Sequence, residues 1–306
     1  MAHVPVMAGE VLELIGARPG MLLVDLTVGA GGHSGAFLEA TAPTGKVLAS
    51  DRDVSACKLA ATRLAADAER IEFTHADSVT RLGQLIEAGV RPDAVLLDLG
   101  VSSMQLDQVD RGFSLRADGP LDMRMDSSQG PTAANLVNRL GLDQLATVLR
   151  DFGDEPRAER IASAIVARRK ARPFRSTGDL RDLVEREAGR GRGKIHPATR
   201  TFQALRMAVN RELELLAECL PLAARLLAPE GRLAVLAFHS GEDRMVKQAF
   251  AAAEAAGWGS RVNRKAVQAS REEQRANRRS RSARLRVLTI LEAPPVDGQP
   301  GSEEAR

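Results

Sequence analysis

Aromatic side chains are scarce, with eight Phe, one Trp and no Tyr in 306 residues. A single-strand nucleic-acid module built on stacked aromatics would have too few platforms. Cysteine is nearly absent: Cys57 and Cys219 lie far apart in sequence, which excludes a disulfide framework and a four-ligand cysteine zinc site. No other metal site is visible. No apolar run approaches the roughly 18 residues that a membrane helix needs. Met1-Ala2-His3-Val4-Pro5 has neither the basic nor the apolar region of a signal peptide. These absences read as a cytoplasmic chain with no membrane partner. Its 44% hydrophobic and 27% charged residues suffice for a buried core, in one large domain or two modest ones.

The net charge of +3 conceals segregation. Arg150 to Arg206 carries 15 basic and 8 acidic residues, and Arg261 to Arg286 carries 10 and 2. An acidic body bearing two arginine-rich segments is the electrostatic pattern of a polyanion binder, although charge runs also occur as plain solvated faces.

Short apolar runs at Met21–Leu26, Val47–Ser50, Ile71–Thr74 and Ala94–Leu99 alternate with helical stretches such as Val54–Ala68. This alternation predicts an α/β fold with a parallel sheet covered on both faces. From Gln105 to about Arg206 a Gly/Asp/Ser-rich loop, Asp110–Pro131, leads into helices with no convincing strand. Thr177 and Asp179 are candidate caps for the last of them, Thr177–Ala188. Glu212–Leu227 then reads as a helix that Pro221 should kink or split. Two more strands follow, Arg232–Phe238 and Leu285–Leu291. The expected organisation is a discontinuous core, residues 1–105 and 207–293, interrupted by a helical insertion over 106–206. Residues 294–306 are expected to form a disordered tail.

At the first strand-to-helix turn stands Asp25-Leu26-Thr27-Val28-Gly29-Ala30-Gly31-Gly32-His33-Ser34. Glycines there permit a tight turn and close approach of backbone to a ligand. The next strand ends in Asp51, placed where a carboxylate can accept hydrogen bonds from ribose hydroxyls. A dinucleotide site wants Gly or Ala where Ser34 stands, and Thr44-Gly45-Lys46-Val47 lacks the features of a phosphate loop. Polar residues after the third and fourth strands, Asp77-Ser78 and Asp98, favour S-adenosylmethionine, which carries no phosphate.

Beyond the turn, several strings are long and unusual: Leu96-Leu97-Asp98-Leu99-Gly100-Val101-Ser102-Ser103, Asp118-Gly119-Pro120-Leu121-Asp122-Met123-Arg124-Met125-Asp126, His196-Pro197-Ala198-Thr199-Arg200-Thr201-Phe202-Gln203-Ala204-Leu205-Arg206 and Phe238-His239-Ser240. With these motifs the chain resembles the RsmH (MraW) family of ribosomal RNA small-subunit methyltransferases over residues 3 to 290. The resemblance implies a class I, Rossmann-like S-adenosylmethionine-dependent methyltransferase with an inserted helical domain. It further implies methyl transfer to the exocyclic N4 of a cytidine in the decoding region of small-subunit ribosomal RNA, as naked RNA or in the assembled subunit. Carried over by motif, Gly31, Gly32 and His33 line the methionine end of the cofactor, Asp51 holds the ribose, and Ser78, Asp98 and Gln105 complete the pocket. A homodimer stays open.

Methylating an amine whose lone pair is delocalised calls for an acceptor of its protons. Asp122, in the loop after the fourth strand, and His239, at the end of the fifth, are the candidates; a loop cap and a structural strand-end histidine are the competing readings. RNA contacts are expected from Arg168-Arg169-Lys170-Arg172-Arg175, Arg190-Arg192-Lys194 and Arg278-Arg279-Arg281-Arg284-Arg286. Two other functions compete: a nicotinamide-dependent dehydrogenase using the same turn, and a non-catalytic ribosome-assembly factor.

Overall fold

The computed structural model describes residues 5–189 and 196–294. Seven strands form one sheet: β1 (Leu22–Asp25), β2 (Lys46–Asp51), β3 (Ile71–His75), β4 (Ala94–Asp98), β5 (Arg232–Ala237), β6 (Gly259–Arg261) and β7 (Arg284–Ile290). Their order is β3-β2-β1-β4-β5-β7-β6. The pairings among the first five are parallel, and β7 runs antiparallel to both β5 and β6. The order reverses between β1 and β4, so a crevice opens where the connections from these two strands leave in opposite directions.

Burial on both faces explains why these strands are continuously apolar. Leu23, Val47, Ala49, Leu96, Ala234 and Leu236 point into one core, and Val24, Val95, Leu97, Leu233 and Val235 into the other. The period-two alternation of side chains across a strand thus supplies both layers from one sequence run. Helices Ala8–Ile15 and Gly32–Ala40 cover the first face; Ser78–Glu87, Glu212–Leu226 and Ser240–Ala255 cover the second.

Pro221 does not split its helix, which runs unbroken over Glu212–Leu226. Residues 217 and 221 are both exposed, so the carbonyl that loses its backbone partner lies on the solvent-facing side of the helix. The edge strand β6, only three residues long, carries too little pattern to be read from sequence.

The chain divides into two compact units, one running to Gly100 and resuming at Leu215, the other Val101–Glu214. The second begins five residues before the sequence expectation and ends eight after it. Its core gathers Leu145, Leu149, Ile161, Ile165, Leu180 and Phe202 from helices Leu142–Gly153, Ala158–Arg169, Thr177–Ala188 and Thr199–Asn210. Ser176, one residue before the expected caps, starts the third of these by accepting the Asp179 N–H at 3.2 Å. Thr177 is buried instead, with its hydroxyl oxygen accepting the Gly119 N–H. Among the described residues no helix is long and apolar enough to cross a membrane, and no group of three or more His, Cys, Asp or Glu is arranged to hold a metal.

Candidate active site

Three strand ends in the first unit deliver carboxylates to one edge of the sheet. Asp25 pairs in register with Ala49, Asp51 with His75 and Asp98 with Leu236. Asp25 is almost fully buried, and burial pushes its carboxyl above the usual range despite bonds from Ser34 and the Thr27 N–H. Ser34 Oγ donates to Asp25 Oδ2 at 2.6 Å, tying the helix after the glycine turn to the strand before it. The residue that breaks the dinucleotide pattern is therefore a structural bolt. Ser34→Ala is expected to cost about 1–3 kcal/mol, the penalty for orphaning a buried acceptor. Losing that donor raises the Asp25 pKa further, so the deficit in urea unfolding should grow with rising pH, as the carboxyl is driven to ionise.

Asp51 Oδ2 accepts the Gly29 N–H and Oδ1 the Asp53 N–H, each at 2.9 Å. Burial pushes its pKa up to about 6, against the lowering effect of these bonds. The turn beside it needs glycine for reasons inside the protein. Gly31 has φ +78°, and a Cβ there would stand 3.0 Å from Leu64; a Cβ on Gly32 would stand 3.0 Å from the Pro5 ring. Arg63 Nη1 fixes the same turn by donating to the Ala30 carbonyl at 2.8 Å.

His33 is buried, and its Nε2 faces Asp98 Oδ2 at 3.5 Å. Burial alone would lower the His33 pKa, but Asp98, then Asp25 and Glu273, outweigh it and hold the imidazole protonated above its ordinary range. His33 Nε2 and Asp98 Oδ1 are both buried without a hydrogen-bond partner. Buried polar atoms left without hydrogen bonds at the ends of parallel strands have capacity for a polar ligand. Thr27 Oγ1 accepts the Asp98 N–H at 2.6 Å and locks the two strand ends together.

Other expected site residues are engaged elsewhere. Ser78 opens its helix behind the Asp77 cap, and its hydroxyl bonds the Cys219 thiol, itself pushed up to about 12 by burial. His239 caps the helix Ser240–Ala255: its Nδ1 accepts the Glu242 N–H at 3.3 Å, while Glu242 Oε2 accepts the Phe238 and His239 N–H groups. Its Nε2 is buried 3.0 Å from Glu242 Oε1 in a geometry that makes no hydrogen bond.

In the second unit, Gln105 Oε1 accepts the Ser102 N–H and Ser102 Oγ the Gln105 N–H, a reciprocal cap for the helix Ser103–Asp107. Asp122 is not the unengaged acceptor that its loop position suggested. Arg124 grips it twice, Nε on Oδ1 and Nη2 on Oδ2, each at 2.8 Å. Burial works against ionisation, but these bonds hold the Asp122 carboxyl below the ordinary range. Asn210 bridges the same loop, accepting from the Met125 N–H and donating to the Met123 carbonyl.

Arg168 is also structural: it pairs with Asp179 at 2.8 Å and stacks 4.0 Å from the Phe174 ring centre. Arg169 donates to the Val137 carbonyl. Lys170, Arg172 and Arg175 stay exposed, as do Arg278 and Arg281 in the first unit, whereas Arg286 is bound to Asp243. The expected contacts Arg190, Arg192 and Lys194 and the tail from residue 295 lie outside the described residues. A cleft of about 580 Å³ opens within the second unit, lined by Leu106, Val109, Phe113, Phe202, Gln203 and Arg206 among others.

Five parallel strands extended by an antiparallel hairpin-like pair, with a glycine turn after β1 and a carboxylate ending β2, define a class I, Rossmann-like S-adenosylmethionine-dependent methyltransferase. Residues 1–291 match the MraW methylase family, and the chain belongs to that family. It is 45% identical over 94% of its length to the ribosomal RNA small subunit methyltransferase H of Syntrophotalea carbinolica, covering 98% of that protein. It is 46% identical over 95% of its length to the protein of the same name from Caulobacter vibrioides, covering 96% of it.

The site's own chemistry fits the cofactor of this class. Asp51 offers remaining lone pairs to a ribose diol, and the cationic His33 beside the anionic Asp98 suits the carboxylate and ammonium of a methionine tail.

Proposed function

We propose that this chain is a cytoplasmic enzyme that transfers a methyl group from S-adenosylmethionine to the exocyclic N4 of a cytidine in the decoding region of small-subunit ribosomal RNA. The observation that carries the reading is the pair that buried His33 makes with Asp98 at the reversal of strand order, with Asp98 Oδ1 left without a hydrogen bond. The relatives' shared name supports ribosomal RNA as the substrate.

When bound, S-adenosylmethionine supplies an electrophilic methyl on a sulfonium. Gly29, Gly31 and Gly32 shape the turn against which it lies, Asp51 holds the ribose, and His33 and Asp98 hold the methionine end. Ser78 and Gln105 contribute through the helices they start, since their polar atoms serve Cys219 and the Ser102 backbone. Alignment of nucleophile, methyl and leaving sulfur is the main catalytic contribution such a site makes, on the order of 7–11 kcal/mol. Asp98 Oδ1 is our acceptor for the amine proton. Asp122 has both oxygens on Arg124, and His239 caps a helix; these two act as organisers of their loops.

RNA is held by phosphate contacts from exposed Lys170, Arg172, Arg175, Arg278 and Arg281. The cleft with Phe113 and Phe202 offers room for an unstacked base. The test is transfer of labelled methyl from S-adenosylmethionine to undermethylated small subunits and to naked ribosomal RNA, followed by nucleoside analysis. Label in N4-methylcytidine is expected; no transfer to either substrate from protein that binds the cofactor would overturn the reading.

The Asp51 carboxylate gives a separate check. Asp51→Ala is expected to weaken S-adenosylmethionine binding about 30-fold, the order of one to two charge-assisted hydrogen bonds. Wild-type affinity should fall as pH drops below about 6, where Asp51 gains its proton. Calorimetry between pH 4.5 and 7.5 reads both, and a profile in this range that Asp51→Ala leaves unchanged would count against the assignment.

A further inference from the structure

The backbone N–H of Met7 donates to Glu273 Oε1 at 2.9 Å across 266 residues of sequence. Met7 is 1% exposed and holds φ +54°, a left-handed conformation unusual for a side chain of this kind, at the start of the helix Ala8–Ile15. Two residues earlier, the Pro5 ring lies against Gly32 so closely that a Cβ there would stand 3.0 Å from the ring and 3.3 Å from two more of its atoms. Gly32 is followed directly by His33. Glu273 is itself held in place, because its N–H is capped by Ser270 Oγ at 3.1 Å. A carboxylate from the C-terminal part of the chain thus tethers the N-terminal segment that roofs the glycine turn.

We propose that Glu273 is a positioning residue of the methyl-donor site: by holding the Met7 N–H it seats Pro5 on Gly32 and fixes the place of His33. The proposal rests on the reading of His33, Asp51 and Asp98 as the cofactor site. It also gives the Glu273 charge a second effect. The groups that act on His33 are Asp98 of β4, Asp25 of β1 and Glu273, and all favour the imidazolium. Protonated His33 is the form that attracts a carboxylate, so ligand affinity should decline on the alkaline side as His33 loses its proton.

Binding of S-adenosylhomocysteine, which needs no RNA, tests this on the full chain. Glu273→Ala is expected to weaken binding about tenfold and to raise the KM for S-adenosylmethionine in step, with kcat within twofold. Glu273→Gln keeps an oxygen for the Met7 N–H, so it should stay within about threefold of wild type near pH 7. Having lost the charge, it should shift the alkaline limb to lower pH. Pro5→Gly, which leaves Glu273 intact, should weaken binding comparably, and the double variant Pro5→Gly with Glu273→Ala should lose no more than the larger single. Wild-type affinity in Glu273→Ala would overturn the proposal. So would equal losses in the Ala and Gln variants with an unmoved pH profile, or full additivity in the double variant. Wild-type protein that does not bind S-adenosylhomocysteine would overturn the cofactor reading beneath it.

Discussion

Asp98→Asn should lower kcat for methyl transfer by at least about 100-fold, the usual contribution of a positioned proton acceptor. The asparagine keeps an oxygen toward His33 and nearly the same volume, but it removes the charge that serves the methionine ammonium and favours the imidazolium, so S-adenosylhomocysteine binding should weaken as well and kcat is the discriminating quantity. Asp122→Asn removes a carboxylate as well, but one that Arg124 already grips through both oxygens. Its effect should fall on the loop, as a smaller loss of kcat accompanied by lower thermal stability. Single-turnover rates with saturating cofactor separate the two. If Asp122→Asn abolished transfer while Asp98→Asn stayed active, the acceptor would be Asp122 and our assignment of Asp98 Oδ1 would fall.

Gly112→Ala is the substitution with the largest expected structural effect. Gly112 has φ +72°, and a Cβ there would stand 2.2 Å from the Pro120 carbonyl oxygen and 2.8 Å from the Asp122 nitrogen. Both atoms are backbone, so no side chain can swing away. The left-handed conformation alone costs about 1–2 kcal/mol, and displacing two strands of the loop adds several more, a large share of the 5–15 kcal/mol that holds a typical domain. The neighbouring Arg111 donates to the Arg124 and Met125 carbonyls, so the whole segment 111–125 should loosen together. Limited proteolysis should then cut within residues 101–214 at least tenfold faster, while S-adenosylhomocysteine binding persists. Unchanged protection would show that the loop absorbs a methyl group more easily than its geometry implies.

Periodicity exposed the sheet because each central strand is buried on both faces: Ala94-Val95-Leu96-Leu97 has no polar residue to blur the pattern, and it forms β4. The glycine turn and Asp51 were legible for a related reason, since a strand end and a tight turn constrain residue type locally. Side-chain partnerships were not. Nothing near Asp122 announces that Arg124 will fold back on it, because two residues of spacing fit many loop conformations. Arg168 read as a free cation for the same reason: its partners Asp179 and Phe174 come from other turns of the chain. Glu273 sits in a basic segment whose composition suggested only RNA contact, yet its partner is the seventh residue. Ser34 was noticed for what it is not, and its bond to Asp25 nine residues earlier was hidden. Asn210 gave no signal at all, since its two loop partners lie some 85 residues upstream.

The placement of the second unit between β4 and β5 also bears on how the chain is made. These strands are hydrogen-bonded neighbours, Asp98 opposite Leu236, yet residues 99 to 231 intervene between them. A ribosome adding about 5–20 residues per second would need roughly 7 to 27 s to deliver β5 after β4 is complete. During that interval β1 to β4 can pair among themselves, but the inner edge of β4 has no partner and stays open to wrong ones. Closing so long a connection as a flexible coil would cost about 2 kcal/mol more than a 12-residue crossover, by the logarithmic growth of loop entropy. A 101–214 segment that has already condensed around its own core removes most of that floppy length. The insertion thus sets the order of assembly: β1 to β4 are complete before it is made, and β5, β7 and β6 complete the other half of the sheet after it.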